Sequence, residues 1–112
     1  MKKELLIYLV LIFLGNFSFS QKYSIARQWN EVLLQSIRND LARPTVHARN
    51  LFHISAAMYD AWAVFDTDAK PYFLNQSNHD YFIPYTKTDF NGSLDQNRKK
   101  AISYAAYRLL IH

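Results

Sequence analysis

Thr45-Val46-His47-Ala48-Arg49-Asn50-Leu51-Phe52-His53-Ile54-Ser55-Ala56-Ala57-Met58-Tyr59-Asp60-Ala61-Trp62-Ala63-Val64-Phe65 reads as one helix that is too apolar for so small a protein. From Ala56 to Phe65 only Asp60 carries a charge, so the second half of the helix is apolar on every side. A surface helix keeps a polar face, and a helix without one is buried in a larger body. The 112 residues offer only two other helical segments to cover it. That imbalance predicts an all-α fold: three helices forming the start of a larger helical bundle, joined by a long aromatic-rich loop.

The segment before it is an ordinary amphipathic helix. Ser24 is placed as its N-cap and the helix runs to about Asn39. Ile25, Trp29, Val32, Leu33 and Ile37 share one face, with Gln28, Glu31, Gln35 and Asn39 opposite. Pro44 disfavours helix in Arg43 and suits the first position of the next helix, so the first two helices should form a tight pair. The third helix opens at Ser93-Leu94-Asp95-Gln96, which fits a capping box with Ser93 as N-cap and Gln96 reaching back. Leu94, Ala101, Ile102, Ala105 and Leu109 then form its apolar stripe. It runs into Leu109-Leu110-Ile111-His112 without a stop signal, and the expectation drawn from this is a truncated frame or fragment.

Residues 66–92 lack a clear period but hold Tyr72, Phe73, Tyr81, Phe82, Tyr85 and Phe90. Disordered segments are poor in aromatic residues, so an ordered loop anchored by its rings is expected, and a short hairpin through Tyr81–Tyr85 is the alternative there. Asn75-Gln76-Ser77 and Asn91-Gly92-Ser93 match the glycosylation pattern and are read as turns.

Residues 1–20 read as a signal peptide: Lys2 and Lys3, the apolar run Leu5 to Leu14, then Ser18-Phe19-Ser20. Cleavage near Ser20/Gln21 would leave residues 21–112 as an N-terminal helical segment, secreted or periplasmic. The apolar run is about half a bilayer span, which argues against a stable membrane anchor. The absence of cysteine excludes a disulfide framework, a thiol nucleophile and a lipid-modified cysteine. A net charge of +4, with Arg98-Lys99-Lys100 as the one basic cluster, does not make a nucleic-acid face, and the triplet reads as solvated surface.

No catalytic, cofactor-binding or metal-binding residue is assigned. Arg49, His53, Ala56 and Asp60 share a polar seam on the second helix. Asp60 and His53 lie about 10 Å apart along the axis, too far for an acid–base pair, so each should meet a partner on a neighbouring helix. If those partners were missing, Asp60→Leu would be nearly silent. His47 and His53 point about 120° apart, and Arg49 between them repels a cation. His79 and His112 complete no visible ligand set, and Ser36, Ser55 and Ser103 occupy no nucleophile motif. Trp29 and Trp62 sit at apolar helical positions and read as core.

Three strings occur together in order: Trp29-Asn30-Glu31-Val32-Leu33-Leu34, Pro44-Thr45-Val46-His47-Ala48-Arg49-Asn50, and Ala57-Met58-Tyr59-Asp60-Ala61. With their flanks they cover residues 26–66 and resemble the N-terminal helices of secreted bacterial proteins related to vanadium-dependent haloperoxidases. That superfamily includes the type 2 phosphatidic acid phosphatase class of acid phosphatases. The resemblance implies a large all-helical fold that holds an oxyanion in its core. It also implies scaffolding roles for Trp29, Asn30, Arg49, Tyr59 and Asp60. The family builds its oxyanion pocket from a lysine–arginine segment, a Pro-Ser-Gly-His segment and a Ser-Arg…His stretch. None of these is in this sequence, so vanadate would belong to a full-length parent and no cofactor to this chain. The partner implied is the remainder of its own domain. The alternative is a self-standing small secreted helical binding module, and the oligomeric state is open.

Overall fold

A computed structural model describes residues 22–87 and 90–111. The expected signal peptide and its cleavage point lie outside the described residues. The chain is mostly helical: α1 (Ile25–Arg38), α2 (Pro44–Ala63), a two-stranded hairpin of β1 (Ser77–Asn78) and β2 (Tyr81–Phe82), then α3 (Leu94–Leu110).

Local chemistry sets most of these boundaries. The Arg27 amide donates to Ser24 Oγ at 3.2 Å, which caps α1. Pro44 opens α2, where its missing N–H costs nothing. Ser93 is the N-cap of α3, but its side chain makes no capping bond and Gln96 stays exposed. The expected capping box is therefore absent, and Asp95 supplies the first-turn charge that favours the helix start.

The three helices meet on Leu33, Ile54, Met58, Ile102 and Ala106, with Trp29, Ile37, Trp62 and Leu110 packed around them. α3 lies along α2 and carries most of the packing, whereas α1 touches α2 little. The expected tight α1–α2 pair is thus replaced by two helices that both lean on α3. Ala106, wholly buried, lets the backbones approach, and Trp29 Nε1 donates to Ser103 Oγ at 3.0 Å to tie α1 to α3. Two apolar stripes shift from their sequence positions. Val32 is 48% exposed beside a buried Leu33, and Leu94 and Leu109 are exposed while Ile102 and Ala106 face the core.

Residues 66–87 turn back along α2 and include a hairpin that an all-α reading lacks. Ser77 pairs with Phe82 and Asn78 with Tyr81, so the hairpin precedes the Tyr81–Tyr85 position expected for it. His79 takes the left-handed conformation (φ +54°) that a two-residue turn demands. Asn75, also left-handed, clips the far side: its Nδ2 donates to the Tyr85 carbonyl and its Oδ1 accepts from the Tyr85 amide.

Ile102→Ala should cost about 2–4 kcal/mol by urea denaturation, because it empties the centre of the core, whereas Tyr104→Ala, 67% exposed, should stay within about 0.5 kcal/mol. Equal costs at the two positions would contradict this packing.

Candidate functional site

The polar seam of α2 divides into two environments. Asp60 is 6% exposed and is the one buried charged residue among those described. Its partners are not on a neighbouring helix. Oδ1 accepts from the Tyr72 amide at 2.5 Å, and Oδ2 accepts from Phe73 and Leu74 at 2.9 and 3.2 Å. A carboxylate can satisfy several donors at once, and three successive amides offset the cost of burying the charge without any cation. Ala56 and Ala63, one turn either way, are small enough for the returning strand to lie close, and both are buried. Tyr59 reinforces the return by donating its hydroxyl to the Lys70 carbonyl at 3.0 Å.

Asp60 is turned toward those amides, makes no bond to His53 two turns away, and does not orient it. His53 is exposed, its ring tilted against Phe52 at 5.9 Å between centres, and Arg49 is exposed one turn before it. Neither has a hydrogen-bond partner among the described residues. Of the scaffolding set, Trp29, Tyr59 and Asp60 make tertiary bonds, while Asn30 and Arg49 face outward.

The α1–α2 corner is held separately. Arg43 grips both oxygens of Asp40 at 2.9 and 2.8 Å, and the Leu41 amide donates to the same carboxylate. The Arg43 guanidinium, aided by that amide, holds Asp40 below its ordinary pKa. His47 Nε2 lies 3.0 Å from the Leu41 carbonyl oxygen and 3.3 Å from the Arg43 nitrogen. One tautomer donates to the carbonyl and the other accepts from the amide. His47 therefore braces the corner, and His53 and His79 lie apart from it. Among the described residues no group of three or more histidines and acids is placed to hold a metal ion.

An open cleft of about 370 Å³ separates the end of α1, the start of α2 and the end of α3. Its polar rim contains Ser36, Asp40, His47, Arg49, Asn50 and His53, over Leu33, Ile37, Ile54, Leu109 and Leu110. Such a rim can hold a negatively charged group. It contains no nucleophile paired with a base. Ser36 donates its hydroxyl to the Val32 carbonyl within its own helix, and Ser103 is engaged by Trp29.

At the opposite end, Arg98 departs from the solvated role read for its triplet. It donates to the Phe65 carbonyl at 3.1 Å and pairs with Asp66 at 3.4 Å, its guanidinium 5.6 Å from the Trp62 ring centre. This places a cation at the C-terminal end of α2, where free carbonyls favour one. Asp66 lies below its ordinary pKa mainly because the Asp68 and Ala69 amides donate to it, with Arg98 adding a smaller effect. Nothing in the sequence around Arg98 marked it apart from Lys99 and Lys100.

No family model, no curated protein and no solved structure matches this chain.

Asp60→Asn should cost about 2–4 kcal/mol, since one acceptor oxygen becomes a donor facing buried amides. A cost near zero in urea denaturation would contradict the clamp. Asp66 should also shape the acid limb. A carboxylate with a depressed folded pKa adds stability above its unfolded pKa of about 4 and loses it as pH falls through the folded value. Melting temperature should therefore drop below about pH 4, and less steeply in Asp66→Asn. Identical acid limbs in the two proteins would contradict that assignment.

Proposed function

We propose that this chain is a scaffold segment, inactive alone, of a secreted vanadium-dependent haloperoxidase-like or acid phosphatase-like protein. The observation that supports it most is apolar surface left uncovered on all three helices. Val32 and Leu34 on α1, Phe52 and Tyr59 on α2, and Tyr104 and Tyr107 on α3 are each 37–67% exposed. Single exposed apolar residues are ordinary, but paired ones on every helix of so small a core suit further layers of protein. The resemblance carried by Trp29-Asn30, Ala48-Arg49-Asn50 and Tyr59-Asp60-Ala61 points to the family. In such a parent, capture of vanadate or phosphate would fall to residues that this chain does not contain, by electrostatic stabilisation with a histidine for proton or covalent work.

One observation favours a self-standing secreted helical module instead. Asp60 finds all its partners within the chain, so an Asp60→Leu substitution would not be silent in isolation. The partners expected on a neighbouring helix are replaced by backbone amides of the loop after α2.

The coding DNA across and beyond codon 112 separates the two. The scaffold reading expects an open frame continuing into lysine–arginine, Pro-Ser-Gly-His and Ser-Arg…His segments. A stop followed by no such segments in any frame would leave the module.

A further inference from the structure

The two halves of the α2 seam differ in what covers them. At the C-terminal half, Tyr72–Leu74 roofs Asp60 and supplies donors to an acceptor. At the N-terminal half, Arg49 and His53 are donors with no roof among the described residues, and both open into the 370 Å³ cleft. They stand four residues apart, so their Cβ atoms are neighbours at about 6 Å and can converge on one acceptor. Asp40, the carboxylate on the same rim, is paired with Arg43, and Arg49 has no ion-pair partner among the described residues. Below the rim, Ile37, Leu109 and Leu110 offer an apolar floor, backed by the buried Leu33 and Ile54.

We propose that this cleft docks an amphipathic helix carrying its own carboxylate, whose apolar side chains seat on that floor while a Glu or Asp reaches Arg49 and His53. The proposal rests on the scaffold reading and names the chemistry of the element the scaffold receives. Charge complementarity selects this occupant. A free small anion would answer the rim and leave the floor wet, and a purely apolar helix would bury Arg49 unpaired, which is costly. In helix-in-groove docking the incoming helix presents apolar anchors about one turn apart, and Ile37, Leu109 and Leu110 are the side chains they would meet.

The test uses the full chain and two synthetic amphipathic peptides that differ only by Glu against Gln at the edge of the apolar face. Calorimetry gives affinity, and the imidazole proton resonances of His47 and His53 report location. The Glu peptide should bind at least about tenfold more tightly than the Gln peptide and shift the His53 resonances. Arg49→Glu should abolish that preference with helix content unchanged, Arg49→Lys should retain part of it, and Arg27→Glu, at the far end of α1, should leave it intact. Equal binding of the two peptides, or binding of neither, would overturn the proposal. Acetate or inorganic phosphate shifting His53 as effectively as the Glu peptide would assign the cleft to a small anion and overturn it. Self-association that disappears in Arg49→Glu would assign the cleft to a second copy, with the same consequence. None of these results bears on the coding frame, so the scaffold reading fails or stands separately.

Discussion

The rest of the structure depends on one buried carboxylate. Asp60 sits on a helix whose neighbours are Ala, Trp, Met and Phe, and a charge there must be satisfied or expelled. The chain meets that demand with backbone: three consecutive amides, Tyr72 to Leu74, turn toward it. Fixing those amides fixes the path of the chain as it leaves α2 for the hairpin. Asn78 Nδ2 then donates to the Tyr72 carbonyl, and the Asn75 clip closes the hairpin against Tyr85. Phe52 then meets the edges of Tyr72 and Phe73 at 5.9 and 6.4 Å between ring centres. An aromatic-rich loop becomes a cover for one side of α2.

The other side of α2 is held by a small apolar centre and a few directional bonds. Leu33, Ile54, Met58 and Ile102 contribute about 1.5–3 kcal/mol each, but apolar contact alone does not fix a register. Trp29 to Ser103 and Arg98 to Phe65 do so, one tying α1 to α3 and the other tying α3 to the end of α2. The Asp40–Arg43–His47 corner sets where α2 begins. Together these ties hold one side of α2 against α1 and α3, while the loop covers the side that carries Asp60, with Phe52 and Tyr59 half-exposed at its edge.

The local features were legible and the long-range ones were not. Ser24, Pro44 and the left-handed Gly92 act on residues beside them, so their effect is written in the neighbouring sequence. Asp60 stood out as the one charge in an apolar run, but its partners are backbone amides, which every residue except proline carries and which leave no mark in a pattern of residue types. Arg98 was hidden for a related reason. Its role depends on the end of α2 lying 33 residues upstream, and its neighbours Lys99 and Lys100 look alike in sequence. Strands of two residues are too short to show alternation, which is why Ser77–Phe82 read as loop. Val32 and Leu33 are 100° apart on a helix, and periodicity alone did not say which of them the core would take. At the cleft, Arg49 and His53 were legible as a seam. That they share a rim with Asp40 and a floor with Leu110 depends on how α3 returns across the corner.

Native-state hydrogen exchange of the Tyr72, Phe73 and Leu74 amides tests the central claim most directly. If Asp60 organises the segment, these three should be the slowest to exchange between residues 66 and 87, at least about a hundredfold slower than Lys87, and should open together. Exchange as fast as that of Lys87 would mean that the carboxylate does not hold the loop, and the cover over α2 would lose its physical basis.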